Sequence, residues 1–295
     1  MGWLISNSDV ILNSLATGLL LFMMAVGLTI VFGLLDVLNL AHGAFFLVGS
    51  YVGYKIAGEA VATWSSFGLA LAVAVVLGAV MGVALMLLTR PLVKRGHLDQ
   101  ALLTLGLALV VAELLQLSFG ADNHAVAPPT ALNGSVPLFG STYPVYRLAV
   151  IALGAVVAAG VWYLIERTPA GAIVRATVAD REMVEAVGID VRRVSLLAFV
   201  LASVLALVGG VLAGPIKGAS PGLDDEVMLL ALVVIVIGGL NSVAGTLVGS
   251  LIIGLVENVG VLLVPQLAPF LLFGAMVIVI SLRPQGLLSA VAVEK

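Results

Sequence analysis

The sequence has 295 residues, of which 62% are apolar and only 10% are charged, and its formal net charge is −3. Soluble domains carry about 25% charged residues, so this composition excludes a soluble globular enzyme and a disordered chain. The charge balance leaves no large basic surface for nucleic acid, and the lack of cysteine excludes disulfides, thiolate nucleophiles and cysteine-ligated metals. The composition therefore predicts a polytopic membrane protein in contact with a lipid bilayer.

Apolar segments divide the chain, and a helix that crosses a bilayer needs about 20 such residues. They are residues 10–34, 37–57, 67–88, 100–119, 147–165, 194–214, 227–240, 243–264 and 268–282. The last three are crowded, and 37–57 is interrupted by polar residues and glycines, so we expect a tilted or re-entrant segment among them. The sequence predicts an all-α bundle of eight or nine embedded segments, forming one transmembrane domain over 1–295.

Basic residues indicate the orientation of the bundle. Ten of the 13 lysines and arginines lie in the loops 89–99 and 166–193 and in the C-terminal tail. The alternate loops 57–66, 120–146 and 215–226 hold only Lys217. Because basic residues favour the cytoplasmic side, we predict an external N-terminus, an internal C-terminus and, most simply, nine crossings.

Small residues are expected at helix contacts, because paired glycines four residues apart let two backbones approach closely. The pairs are Gly49/Gly53, Gly78/Gly82, Gly210/Gly214 and Gly245/Gly249. We expect about half of these pairs to pack in this way, since chance produces some of them in a glycine-rich chain.

The 166–193 segment is the most charged part of the chain, and from Gly171 to Val187 it is predicted to form one amphipathic helix that stops at Gly188. One face is small or apolar: Ala172, Ala176, Ala179, Met183 and Ala186. The other is charged: Arg175, Arg181, Glu182 and Glu185. The helix either lies on lipid headgroups or docks on a cytoplasmic partner, and the alanine-rich face without Trp, Phe or Leu favours docking.

Four stretches resemble one known family. They are GLTIVFGLLDVLNLAHGAFFLVGSYVGY (27–54), RATVADREMVEAVGIDVRRV (175–194), LLALVVIVIGGLNSVAGTLVGSLIIGLVEN (229–258) and LRPQGLL (282–288). Over about 10–288 the chain resembles the branched-chain amino-acid permeases of ATP-binding cassette (ABC) importers, with a fold of the type II-like importer permeases. One departure is visible, since Asn241 stands where the family usually has glycine.

The resemblance implies that the 171–189 helix is the coupling helix. Its contacts with an ATPase would fall to Arg175, Ala176, Ala179, Glu182, Glu185, Gly188 and Ile189. It also implies a second homologous permease, two cytoplasmic cassette ATPases and a periplasmic or extracellular binding protein as partners, in a bacterial cytoplasmic (inner) membrane. No lysine precedes Ser or Thr as a phosphate-binding loop requires, so ATP is expected on the partners and no cofactor on this chain.

Polar residues inside the predicted segments are candidates for a translocation path, because they are costly in lipid. The candidates inside the segments are Asn39, His42, Glu113, Glu257 and Asn258, and we add Gly43 beside His42 and Asn241 between two segments. Five of them have a plainer interpretation: Glu113 as a packing carboxyl, His42 and Asn39 as hydrogen-bonding groups at an irregular turn, and Glu257 and Asn258 as a solvated segment end. The external acids either meet a binding protein or form a solvated rim: Glu59, Asp122, Asp224, Asp225 and Glu226.

Other functions are less consistent with the sequence. An intramembrane enzyme is disfavoured, because HExxH, GxGD and an intramembrane serine motif are absent and His42, His97 and His124 lack metal-ligand spacing. An ion-coupled secondary transporter could use Glu113 and Glu257 but leaves the 166–193 segment unexplained. A channel is a further alternative, although the sequence has no repeated filter-like segment.

Overall fold

A computed structural model describes residues 8–35, 37–92, 96–138 and 141–288. Eleven α-helices lie in these ranges: α1 (Ser8–Leu35), α2 (His42–Ala57), α3 (Trp64–Thr89), α4 (His97–Phe119), α5 (Val145–Arg167), α6 (Pro169–Ala179), α7 (Arg181–Ala186), α8 (Val191–Lys217), α9 (Leu223–Gly238), α10 (Val243–Leu263) and α11 (Ala268–Leu282). The basic residues Lys94, Arg95 and Lys295, which entered the orientation prediction, lie outside the described residues.

Every predicted segment corresponds to a helix, but α2 and α9 are too short to count as membrane spans. In the described part of the chain, seven helices are long and apolar enough to cross a membrane. Helices α2 and α9 have 16 residues each, which gives a rise of about 24 Å against a hydrocarbon core of about 30 Å. The boundaries predicted for these two were wrong, since 37–41 precedes α2 and is not helical, and α9 ends at Gly238.

Buried helices form the centre of the bundle, and largely exposed helices surround it. Of the most apolar stretch of α1, 83% of the residues are buried, against 11% for α4 and 6% for the last apolar helix, Pro265–Leu282. The short helices α2 and α9 lie with α1 and α8 in the main hydrophobic core. The polar residues around the start of α2, Asn39 and His42, are therefore buried within the protein.

Glycine contacts hold the central helices close together. Gly78 and Gly82 of α3 lie against the backbone of α8, and Gly245 and Gly249 of α10 lie against α9. Gly210 of α8 faces the backbone of α2 around Phe46 and Gly49, whereas Gly53 has more space and Gly214 faces the side chain of Val126. Each predicted pair thus places at least one glycine at a helix contact, more than the half that we expected.

A short two-stranded hairpin lies at one end of the bundle, and the predicted all-α transmembrane fold is confirmed by the eleven helices of the described ranges. Strand β1 (Ser135–Leu138) pairs with the antiparallel strand β2 (Ser141–Pro144). The Ser141 hydroxyl donates to Asp9 Oδ1 at 2.5 Å, which ties the hairpin to the start of α1. We call this end the hairpin face, and the opposite end, with α6 and α7, the Arg-rich face.

Candidate functional site

The first break is residues 37–41, a non-helical stretch between α1 and α2. Backbone polar groups at membrane depth need partners within the protein, because lipid offers none. Asn39, which is buried, accepts from the backbone N–H of Ala41 at 3.0 Å through its Oδ1 atom. The Leu40 N–H donates to Thr104 Oγ1 of α4 at 3.0 Å. The break is therefore a paired structure, and Thr104 is a member that the sequence did not reveal.

His42 begins α2 inside the bundle. Its ring is fully buried, and Nε2 lies 3.1 Å from the carbonyl oxygen of Met24, near the middle of α1. The next residue, Gly43, packs against the backbone carbonyl of Asp224 at the start of α9. A methyl group at Gly43 would lie 2.5 Å from that oxygen, so only glycine allows this approach. The expected hydrogen-bonding roles of Asn39 and His42 at an irregular turn are confirmed.

The second break is residues 239–242, between α9 and α10. Gly239 has φ +108°, a conformation that favours glycine, and Ser242 Oγ accepts from the Gly245 N–H at 2.9 Å to cap α10. Asn241 is exposed on the Arg-rich face and lies beside Gly33 of α1. Asn241 is thus exposed where Asn39 is buried, although each residue shortly precedes the start of a helix.

Helix α1 connects both breaks to the 166–193 segment. Its Gly27 faces the His42 ring, and its Gly33 faces the second break. The hydroxyls of Thr29 and Thr246 form a buried hydrogen bond of 2.8 Å between α1 and α10. On its other side Ile30 shares an apolar groove with the first residues of α6. A displacement of α6 would therefore act on α1 between the two breaks.

The 166–193 segment contains two helices, so the prediction of one helix over 171–189 was wrong. Asp180 has extended backbone, and its side chain accepts from the Met183 N–H at 2.9 Å, which starts α7. Thr168 caps α6 through the Gly171 N–H, and Gly188 stops α7 with φ +86° as predicted. Because the 3.6-residue period is interrupted at Asp180, Met183 and Ala186 do not continue the alanine face of α6.

The alanine face of α6 points away from the bundle. Ala172, Ala176 and Ala179 are exposed, while Gly171 and Thr177 face inward. Small exposed residues at this spacing leave a shallow surface that a partner helix or groove can approach closely.

Charged residues of the segment have different surroundings. Arg175 donates to the carbonyl oxygen of Ile165 and pairs with Glu166 at 3.6 Å, so it attaches α6 to the end of α5. Glu182 is exposed. The remaining coupling candidates Glu185 and Ile189 line a cavity of about 330 Å³ that also includes Arg181 and reaches Val37 of the first break. The cavity connects the Arg-rich face with that break.

A second polar cluster lies toward the hairpin face. Lys217 Nζ is 2.6 Å from Glu226 Oε1 and 3.9 Å from Glu257 Oε1, and the Lys217 side chain is only 23% exposed. Asn258 donates to the Gly254 carbonyl oxygen at 2.9 Å and is near Thr17. We call Lys217, Glu226 and Glu257 the outer charge cluster. In this cluster the Lys217 ammonium group lies within 3.9 Å of two carboxylates.

Two acidic residues are placed differently from the simple expectations. Asp224 is only 7% exposed, so neither a solvated rim nor a binding-protein contact describes it, whereas Asp225 and Glu226 are exposed. Glu113 is exposed on the outer face of α4, away from both breaks and from the outer charge cluster. The path candidates thus fall into four places, of which only the first break lies in the bundle core.

Thr104→Val tests the pairing of the first break. Valine keeps the shape but leaves the Leu40 N–H without an acceptor, so we expect a loss of about 1–3 kcal/mol in unfolding free energy. Thermal unfolding of the detergent-solubilised protein measures this, and Thr104→Ser, which retains the hydroxyl, serves as the control. Equal stability of the valine and serine variants would contradict the assignment.

The sequence is similar to those of known transport proteins over nearly its whole length. Residues 10–281 match the family model described as branched-chain amino acid transport system / permease component. The chain is 26% identical to the high-affinity branched-chain amino acid permease protein BraD of Pseudomonas aeruginosa, over 97% of this chain and 96% of that protein. It is 25% identical to LivH of Escherichia coli K12 over 96% of both, and 24% identical to the ribose import permease RbsC over 80% of this chain and 72% of that protein. No solved structure matches the chain.

Proposed function

This chain belongs to the family of branched-chain amino acid transport system permease components, and we propose that it is the membrane-spanning subunit of an ATP-driven importer for branched-chain or related amino acids. It is a multi-pass transport protein and not an enzyme. The proposed setting is the bacterial inner membrane, with the hairpin face outside and the Arg-rich face inside, as the basic residues indicate.

The proposed assembly contains four further subunits. Two cassette ATPases bind and hydrolyse ATP at the Arg-rich face, a second homologous permease pairs with this chain in the membrane, and a binding protein delivers substrate at the hairpin face. The exposed alanine face of α6 is the observation that carries this proposal, since it is a small, unpartnered surface joined to α1. No cofactor is assigned to this chain.

The proposed cycle is one of alternating access. Closure of the ATPases displaces α6, and α6 moves α1 against the first break, because Ile30 lines the same groove as the start of α6 and Gly27 faces the His42 ring. The first break then acts as a plug between the cavity at the Arg-rich face and the hairpin face. Two states of such a packed element suffice for a transport cycle if ATP favours one of them.

The outer charge cluster suits a zwitterionic substrate. Lys217 can bind a carboxylate and Glu226 or Glu257 an ammonium group, which are the two charges of a free amino acid. A cavity of about 20 Å³ beside Lys217, lined by Phe46 and Val227, is too small for an amino acid, which supports a closed outer entrance in this conformation.

Lys217→Met tests this entrance. We expect the substrate concentration for half-maximal uptake to rise about tenfold, because a hydrogen bond to a charged group contributes about 1.5–3 kcal/mol. Lys55→Met, the same change at an exposed lysine of α2, is the matched control. An unchanged half-saturation in the Lys217 variant would remove the cluster from the path.

Several substrate classes are compatible with this site. Urea, amides and aromatic acids are alternative substrates within the family, and the similarity to a ribose import permease makes sugars a further alternative. Outside the family, the alternative function is an ion-coupled secondary transporter. Uptake of labelled leucine with an excess of unlabelled valine, urea, phenylalanine or ribose distinguishes the substrates.

Co-purification tests the assembly. A tagged chain, solubilised from membranes of cells that express the whole transport system, should bring down cassette ATPases and a second permease. If the chain purifies alone and vesicles still move solute under an ion gradient, the importer assignment is wrong.

A further inference from the structure

Glu113 is an ionisable residue on α4, a helix of which only 11% of the most apolar stretch is buried within this chain. It lies six residues, or about 9 Å, from the end of α4 at Phe119, which places it inside the span and not at its edge. Nine residues separate it from Thr104, so at about 100° per residue the two lie on opposite faces of α4. Thr104 is buried against the first break, and Glu113 therefore points away from the rest of the chain.

A carboxyl group in this position is costly if lipid surrounds it. Side chains of a helix tilt toward its N-terminus, which for α4 is the Arg-rich face. The Glu113 side chain therefore leans away from the nearer, hairpin-side membrane surface, which makes escape to water less favourable. By contrast, the exposed residues of α3 between Leu69 and Leu88 are all apolar, as a surface in contact with lipid requires.

Glu113 belongs to a stripe that has the form of a helix-packing seam. The stripe consists of exposed residues spaced alternately by four and three: Leu102, Gly106, Leu109, Glu113 and Gln116. This heptad spacing keeps one face toward a partner in left-handed helix pairs. No atom of the described residues lies within 4 Å of the place where a Cβ of Gly106 would be, so the space above this glycine is open to another helix.

We propose that this α4 stripe is the surface through which the chain packs against the second permease, a subunit of the same fold whose equivalent helix lies beside α4. The inference rests on the proposed function, since it names the place of one proposed partner. A two-fold axis along the membrane normal sets parallel copies of the helix side by side. The carboxyl of Glu113 and the amide of Gln116, one turn apart, can then hydrogen-bond with their counterparts, and Gly106 allows the two backbones to approach.

Site-specific photo-crosslinking tests the location. A benzophenone amino acid is introduced at Leu109 in cells that express the complete transport system, and at Val76 of α3 as the matched control, because both side chains are 63% exposed. We expect a product of two permease subunits from Leu109 and none from Val76. The absence of a protein product at Leu109, an equal yield at Val76, or capture of an ATPase or binding protein would overturn the proposal.

A substitution in the stripe adds a second readout. Gly106→Leu has room within the chain itself, so the subunit should fold, but the added side chain occupies the place of the partner helix. We expect it to abolish the Leu109 crosslink. Gly160→Leu on α5, another exposed glycine with open space, should leave it intact. If the Gly106 variant still forms the crosslink, the α4 stripe is not the surface that meets the second permease.

The two proposals can fail separately. Capture of ATPases and ATP-dependent uptake by the unmodified chain test the importer, whereas the crosslink reports only which helix meets the second permease. If the importer is active but the two permeases crosslink through another helix, the assignment of the α4 stripe is wrong and the proposed function still stands.

Discussion

Changing Ala176 and Ala179 together to aspartate is expected to release the cassette ATPases from this permease and to abolish ATP-driven uptake. Both alanines are exposed on the face of α6 that points away from the bundle. A buried carboxylate at a packed interface costs several kcal/mol unless it is paired, and a loss of 4 kcal/mol is about a thousandfold in affinity. Co-purification of the ATPases and uptake of labelled leucine measure the two effects.

The control is the same chemical change at the other end of the molecule. Ala121 and Ala131 are exposed near the hairpin face, so their double aspartate variant should retain both ATPase binding and the native fold. If the α6 variant remains folded by size-exclusion chromatography and still brings down the ATPases, α6 is not the coupling element. If both double variants lose them, the effect is one of added charge and not of this surface.

Gly210→Ala is expected to destabilise the fold strongly, although it adds a single methyl group. The methyl would collide with the backbone around Phe46 and Gly49, which cannot move aside as a side chain tip could. Separation of α8 from α2 loses packing in the centre of the bundle, for which overpacking costs of about 1–3 kcal/mol or more are typical. Thermal unfolding in detergent should show a lower midpoint and loss of monodisperse protein.

Gly160→Ala is the matched control for this change. Gly160 is also helical, but its Cβ would meet no described atom within 4 Å. Alanine favours a helix over glycine by about 1 kcal/mol, so this variant should be as stable as the unmodified chain or slightly more so. Equal midpoints for the two alanine variants would show that the α2–α8 contact does not depend on the glycine.

The embedded helices could be predicted from the sequence because their signal is local. An apolar run of sufficient length needs no knowledge of its neighbours, and all nine segments correspond to helices. Asn39 and the nearby glycines marked the first break for the same reason. The split at Asp180 was missed, although Asp before a helix turn is a capping residue, because the alanine-rich periodicity continued across it.

Contacts between distant segments could not be predicted in this way. Thr104 is one hydroxyl in an apolar helix, and nothing in its own segment indicates that it pairs with Leu40. Asp224 looked like a member of an exposed acidic run, yet tertiary packing against α2 buries it. The face of α4 that packs against the rest of the chain could not be predicted either. Apolar residues occur on every face of this helix, so its sequence has no amphipathic pattern.

Leucine uptake into right-side-out membrane vesicles that carry the complete transport system tests the central claim most directly. The vesicles are loaded with ATP or a non-hydrolysable analogue, the binding protein is supplied outside, and ionophores collapse the ion gradients. The account predicts accumulation only with hydrolysable ATP and no effect of the ionophores. Accumulation without ATP that an ion gradient drives and ionophores abolish would contradict it, and Glu113 and Glu257 would then be the first residues to test as ion-coupling sites.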